Sequence, residues 1–351
     1  MYFSTLGYKS NPLLDSHRGL FLEKIQAIWR SYISNEIPID DFLFSPDIHS
    51  LLLSANFQEN TKDKELTNFL IREYSLYRGQ SGTVFQKSNE RIPGTHISLT
   101  SDFYKINAKY AHPEHEKNNI GITFWSKSFD DWKELFSHSF SLLATISPGF
   151  MSEIHLVIKK IIPFDVSSKM HNSGSYSNAI GCLLMSYPVE VDNPEFVLIE
   201  AIIHEYNHNK LHLINQNEKL VISDKREIYY SPYRPDARHL QGIYFWVHAL
   251  SATCWVMLNT QKSNQIQLPT PFLEKTILYV LKNWLSFQVL DKYGHFSSLW
   301  KELLEEMRWV HRECLSFVKE LDISPDRMNF IKWDLMKHYY DVKTMYPWIL
   351  D

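Results

Sequence analysis

One segment carries a constellation suited to metal chemistry. His204, Glu205 and His208 stand in the order H-E-x-x-H within FVLIEAIIHEYNHNKLHLI, Phe196 to Ile214. Residues four apart on a helix lie one above the other, so His204 and His208 can direct two imidazoles at one cation, while Glu205 lies one step round, beside whatever the metal activates. Val197, Leu198, Ile199, Ala201, Ile202 and Ile203 lead into the motif. In so apolar a wall an unpartnered polar cluster would be costly, which favours a bound cation over a stray histidine pair.

Two imidazoles leave a metal under-coordinated, so a third ligand has to come from elsewhere. Leu211 and Ile214 stand where the metzincin pattern needs its glycine and third histidine, which excludes that pattern. His212 follows His208 by four residues, but three ligands on one straight helix cannot converge on one ion; it belongs beside the site or on the surface. The segment from His239 to Leu258 contains no Glu, so the glutamate ligand of a gluzincin is missing there. It does contain His248 amid Tyr244, Phe245, Trp246 and Val247, which makes His248 the expected third ligand and His239 its competitor. Three neutral imidazoles suit zinc, iron or copper equally. Arg234 and Arg238, four apart in SPYRPDAR, can present planar guanidinium forks to a carboxylate near the metal, or pair with Asp236 or Asp224.

The motif helix has a clear start: Asp192 or Asn193 can accept orphan backbone N–H groups, Pro194 sits where a missing N–H costs nothing, and Glu195 suits the positive end of the dipole. Polar residues Asn215 to Lys219 end it. Upstream, apolar spacing predicts a helix over Asp15 to Ile33, shorter ones near Asp47 to Asn56 and Lys64 to Tyr77, and another over Asp130 to Ala144. Arg78 to Thr100, with Gly79, Gly82, Pro93 and Gly94, reads as loop with at most short strands. SEIHLVIKKIIPFDV reads as a buried strand, followed by a loop rich in small and hydroxyl residues and a short strand, Ile180 to Tyr187. Ser175, Ser177 and Asn178 of that loop are candidates to face the site. His96, His112, His115 and His138 lack ligand spacing to one another and are assigned roles in solvent or in support of a site, not as ligands.

Downstream, Leu220 to Tyr230 reads as strand or loop, and His239 to Leu258 as a helix too apolar for a surface position, expected to pack on the motif helix. Phe272 to Tyr293, Phe296 to Leu321 and Pro325 to Tyr346 supply three more helices. The expected fold class is α+β, predominantly α-helical, with a small β-sheet packed beside a central metal-binding HExxH helix. Residues 1–140 form a mainly helical N-terminal region, expected to belong to the same domain, and 141–351 the HExxH metal-binding part with the C-terminal helices.

The combination of HEYNHNKL (His204 to Leu211), YYSPYRPDAR (Tyr229 to Arg238) and the G-x-x-x-x-V-H-A element (Gly242 to Ala249) resembles the HExxH-domain proteins of peptide natural-product gene clusters. The resemblance covers roughly Ile146 to Leu258. It implies an iron(II)- and 2-oxoglutarate-dependent hydroxylase acting at the β-carbon of a side chain in a ribosomal peptide, with or without a leader segment. It further implies that His204, His208 and His248 bind iron, that Glu205 supports the site, and that Arg234 or Arg238 holds the distal carboxylate of 2-oxoglutarate. His239 follows Arg238 where an R-P pair is expected, which is a departure from the family pattern. The alternative chemistry is a zinc metallopeptidase, with Glu205 as the general base of a zinc-bound water.

Composition constrains partners more than function. The 36 basic and 40 acidic residues of the 351-residue chain are interspersed, so no field selects nucleic acid or an anionic membrane. Cys182, Cys254 and Cys314 are widely separated and odd in number, which argues against a disulfide framework and fits a reducing compartment. With no secretory-signal pattern and no bilayer-spanning apolar window, the expected location is cytoplasmic. Oligomeric state is not legible from the sequence.

Overall fold

The computed structural model describes residues 12–32, 38, 40–46, 48–49, 52–53, 68, 70–72, 74–75, 89–100, 128–164, 171–220, 227–263 and 266–348. The expected helices near Asp47 to Asn56 and Lys64 to Tyr77, residues 78–88, His112, His115 and most of Leu220 to Tyr230 lie wholly or largely outside them. The fold is predominantly helical α+β with one small mixed sheet. The chain divides into two compact units. Among the described residues, the first comprises those of Pro12–Ala144 and Met151–Asn217, and the second those of Thr145–Phe150 and Glu218–Asp351. The HExxH segment and the N-terminal helices thus fall within one unit.

In the first unit, helix α1 (Pro12–Tyr32) forms because Leu14, Phe21, Ile25, Ile28 and Trp29 recur at helical spacing and are all buried. A single turn, α2 (Asp40–Leu43), follows. Strands β1 (Asn89–Arg91) and β2 (Ser98–Thr100) make an antiparallel hairpin whose turn uses Gly94 at φ 76°, a backbone state glycine adopts without cost. Helix α3 (Phe129–Ile146) buries Trp132, Phe136, Phe140 and Leu143 along one face, as its i, i+4 spacing requires. Strands β3 (Lys160–Phe164), β4 (Ser173–Gly174) and β5 (Cys182–Ser186) complete a sheet of order β1-β2-β3-β5-β4. β3 runs parallel to both β2 and β5, with Ile161 opposite Leu183 and Ile162 opposite Leu184, while β4 is antiparallel to β5. All five residues of β5 are buried, the near-continuous apolar reading of a strand covered on both faces. Pro163 is tolerated inside β3 because the pairing with β2 ends at Ile161, leaving that edge free of ladder bonds.

One expected element changes type. The stretch beginning SEIHLV is helical, not a strand: α4 spans Pro148–Val157 and only Lys160–Phe164 is extended. Phe150, Met151, Ile154, Val157 and Ile158 are buried at i, i+4 and i+7 spacing, whereas His155 and Leu156 are only half-buried. A short apolar run satisfies both periods, and Pro148 stands at the first helical position, where a missing N–H costs nothing.

Helix α5 (Pro194–Asn217) carries the HExxH motif; it begins at Pro194, where the capping pattern places its first turn, and runs three residues beyond Ile214. Asn193 precedes it at φ 56°, a left-handed state asparagine tolerates, and its carbonyl accepts from Phe196 N at 3.1 Å. α5 packs on α1, on β5 and on β4.

The second unit contains α6 (Leu240–Ser263), α7 (Thr270–Tyr293), α8 (Ser298–Glu320) and α9 (Pro325–Met345), the four helices expected from apolar spacing. α6 packs on α7 and α8, and α7 on α8 and α9. Cys254, Leu258, Ile277, Val280, Val310 and Cys314 form a shared core. The proline-punctuated loop ahead of α6 is closed by an antiparallel bridge between Tyr229 and Arg238. All three cysteines are free and buried, as their spacing implied. Among the described residues no helix is long and apolar enough to cross a membrane.

Candidate functional site

α5 is buried around most of its circumference, and its weak spot is the stripe that carries the histidines. Val197, Glu200, His204, His208, His212 and Asn215 are half-buried, while the residues between them are mostly fully buried. Their three- and four-residue spacing keeps them on one side of the helix. His204 and His208 therefore lie on the least buried side of a helix whose other faces are locked by packing.

The two imidazoles converge. Their Nε2 atoms are 2.9 Å apart, with ring centroids 4.5 Å apart and ring planes at 87°. Imidazole–metal bonds of about 2.0–2.1 Å meeting at a right angle place two nitrogens about 2.9 Å apart, and at the tetrahedral angle about 3.4 Å. The pair thus fits adjacent positions around one cation. With one ring protonated on Nε2, the same approach is an N–H···N hydrogen bond. His212, next along the stripe, is pushed down to about 4 by burial and is neutral near pH 7.

Glu205 points away from the histidine stripe, towards β4. Its carboxylate is 5% exposed, and each oxygen accepts a serine hydroxyl: Ser173 Oγ to Oε1 at 2.8 Å and Ser175 Oγ to Oε2 at 2.7 Å. Burial pushes the carboxyl up to about 7, and the two hydroxyls hold it lower than burial alone would. One turn on, Asn209 fastens the same face to the sheet. Its Oδ1 accepts from Gly181 N at 2.6 Å and its Nδ2 donates to the carbonyls of Cys182 and Glu205. Gly181 is required here: its φ is +88°, and a Cβ would meet the Val157 carbonyl at 2.8 Å.

A different face of α5 is held by a buried ion pair. Lys210 Nζ lies 2.7 Å from Glu153 Oε2 of α4, and Tyr206 donates its hydroxyl to the same oxygen at 2.6 Å. Lys210 and Glu153 are 0% and 1% exposed. The ammonium also lies 4.9 Å from the Tyr206 ring centroid, a cation–π contact. With Asn209 on the sheet and Lys210 on α4, the rotation of α5 about its own axis is fixed, and so is the direction of His204 and His208.

The remaining expected site residues lie in the second unit. His248 is fully buried in α6. His239 is exposed, with Nδ1 3.0 Å from the Glu227 carbonyl. Arg234 and Arg238 both turn to Asp236: Arg238 Nη2 is 2.9 Å from its Oδ2 and Arg234 Nε 3.6 Å from its Oδ1. The ordinary ion pair weighed beside the carboxylate-clamp role is thus the contact these side chains make. Among the described residues no group of three or more His, Cys, Asp or Glu side chains gathers as a metal site.

Of the loop residues expected to face the site, Ser175 bonds Glu205, whereas Ser177 is exposed and offers only its backbone carbonyl, to Gln216. Ser173 was not anticipated. The signal was available in S-G-S, whose alternate residues project to one side of an extended segment. Glu153 and Lys210, also unanticipated, are fifty-seven residues apart, so nothing local in the sequence pairs them. Compared with protein-family models and with curated proteins, the chain matches none.

Proposed function

We propose that this chain is an iron(II)/2-oxoglutarate-dependent oxygenase that hydroxylates the β-carbon of a side chain in a peptide substrate. The observation that carries the reading is the approach of His204 Nε2 to His208 Nε2 at 2.9 Å, on the one half-open stripe of an otherwise buried helix. These two residues would hold the metal. When bound, iron(II) and 2-oxoglutarate supply an O₂-derived oxidant able to remove hydrogen from an unactivated carbon.

Glu205 supports the same choice. The zinc peptidase reading needs a carboxylate that meets a metal-bound water, and Glu205 instead gives both oxygens to Ser173 and Ser175 on the sheet side of α5. Its role in our reading is to position: it ties the serine loop to the helix that presents the histidines. His248 as third ligand, and Arg234 or Arg238 as the anchor of the 2-oxoglutarate carboxylate, rest on the family resemblance alone. An arginine in that role must exchange Asp236 for the co-substrate, an exchange its partly exposed side chain permits.

The test is anaerobic titration of the purified chain with Fe(II) and then 2-oxoglutarate, followed by visible absorption. The expected result is a weak metal-to-ligand charge-transfer band, lost in His204→Ala and His208→Ala and shifted to higher 2-oxoglutarate concentration in Arg234→Ala or Arg238→Ala. Unaltered affinity in both arginine variants removes the arginine assignment, and wild-type Fe(II) binding by His248→Ala removes the third-ligand assignment. Stoichiometric zinc together with Glu205-dependent peptide cleavage overturns the oxygenase reading itself.

A further inference from the structure

β4 is an edge strand without the usual guards. In an antiparallel ladder, alternate residues turn their N–H and C=O groups to the partner strand, and the residues between turn theirs away. Ser186 N donates to the Asn172 carbonyl at 2.8 Å and Asn172 N to Ser186 Oγ at 2.8 Å, so Asn172, and then Gly174 opposite Leu184, face β5. Ser173 and Ser175 therefore direct their N–H and C=O groups outward, where among the described residues they meet no hydrogen-bond partner. Ser173, Gly174 and Ser175 are only half-buried and carry no charge. The other edge of the sheet is different: β1 holds Glu90 and Arg91, and Lys133 pairs with Glu90 at 2.6 Å. Charges of this kind keep an edge from accepting another strand, and β4 has none.

The contacts of α5 fix what lies beyond this edge. At about 100° per residue, Asn209, Glu205 and His208 stand about 140°, 100° and 40° round the helix from His204. Asn209 bonds to Gly181 and Cys182 at the start of β5, and Glu205 to Ser173 and Ser175 at β4. The step from β5 to β4 is thus a step round α5 towards the histidines. One more strand, ~4.8 Å further out, runs along the arc between Glu205 and His208. Ser173 and Ser175 both turn their hydroxyls to the α5 side of the sheet. Residues directly opposite in neighbouring strands share a face, so residues of an added strand that stand level with these serines turn their side chains to α5, and the residue between turns its side chain away.

We infer that β4 takes the backbone of an extended peptide as an antiparallel sixth strand of the five-stranded sheet, and that the side chain brought to the histidine stripe belongs to a residue level with Ser173 or Ser175. This rests on the reading above in taking that peptide to be the substrate; the edge itself recognises an extended backbone whatever the metal does. Antiparallel pairing lets each serine exchange both its backbone bonds with one peptide residue. The test offers the purified full chain, with no Fe(II) or 2-oxoglutarate added, a degenerate library of blocked peptides of about nine residues, a little longer than a typical strand. Retained sequences are identified by mass spectrometry, and the tightest is resynthesised with single backbone N-methyl groups. N-methylation at alternate residues is expected to raise the Kd about tenfold, the loss of one hydrogen bond, and at the residues between to change it less than about twofold. Ser175→Pro removes an outward N–H and is expected to bind about tenfold more weakly than Ser175→Ala, which loses the same hydroxyl and keeps the N–H; urea denaturation establishes that both fold. Photo-cross-linking from a benzoylphenylalanine at a methylation-sensitive position is expected on α5. Retention of no peptide, N-methyl effects without a two-residue period, equal binding by the two Ser175 variants, or cross-links confined to residues outside α5 each overturn the inference. Peptide binding with the two-residue period in a chain that forms no charge-transfer band with Fe(II) and 2-oxoglutarate upholds the edge and removes the oxygenase reading.

Discussion

Replacing Lys210 by methionine probes what holds the candidate site in place. The substitution keeps most of the volume and removes the ammonium, leaving the Glu153 carboxylate 1% exposed without its cation. Removing one partner of a buried pair costs about 3–5 kcal/mol, because the remaining charge stays desolvated. The Tyr206 hydroxyl, 2.6 Å from the same oxygen, offsets part of this and places the expectation near the lower end, about 3 kcal/mol. For a unit of roughly 200 residues, about 3 kcal/mol corresponds to a fall in Tm of roughly 6–12 °C. The assay is urea denaturation at pH 7 monitored by circular dichroism. Glu153→Leu combined with Lys210→Met removes both charges and is expected to recover most of the loss, since apolar replacements of a buried pair are often neutral. The link to the site is that Lys210 and Asn209 together set the rotation of α5; Lys210→Met is therefore expected also to weaken Fe(II) binding at His204 and His208. The reasoning is refuted if Lys210→Met is as stable as the wild type, or if the double variant is as unstable as the single one.

Two further expectations concern the first unit. His49 is wholly buried beside Phe21 and Phe44, and burial lowers its pKa to about 3, against an ordinary 6.5. The unfolded chain therefore takes up the proton first, so stability held above pH 6.5 is lost as the pH falls towards 3, by about 2 kcal/mol at pH 5. In His49→Gln the loss of stability between pH 7 and pH 5 should shrink by about that amount, and an unchanged pH slope in urea titrations would speak against the assignment. Ser173→Ala and Ser175→Ala each strip one hydroxyl from the buried Glu205 carboxylate. Each is expected to cost about 1.5–3 kcal/mol, with the double variant less than additive because the acceptor is shared. Unfolding free energies from urea titration that change by less than about 0.5 kcal/mol in both single variants would mean that Glu205 does not depend on this loop.

Sequence alone determined the long helices and the position of the motif. α1, α3 and α5 to α9 bury apolar residues at a period that only a helix satisfies over twenty residues, and the turn chemistry at Pro194 and Pro325 marks where two of them begin. The pairing of His204 with His208 follows from four-residue spacing, because helix geometry is local. The apolar stretch from Pro148 to Phe164 was not decidable in this way, since it divides into a ten-residue helix and a five-residue strand, runs short enough to suit either period, and the choice rests on which neighbours they pack against. Tertiary structure also decided what the polar groups do. Glu205 is adjacent to His204 in sequence but a hundred degrees round the helix, and the fold turned it to Ser173 and Ser175. Lys210, two residues past the motif, has no partner nearby in the sequence, and the fold brings Glu153, fifty-seven residues earlier, beside it. Arg234 and Arg238 had two carboxylate partners open to them, and the bend of their own loop set Asp236 between them. Spacing along one helix is a property of the backbone, whereas the partner of a buried charge is whichever distant residue the packed fold delivers to it.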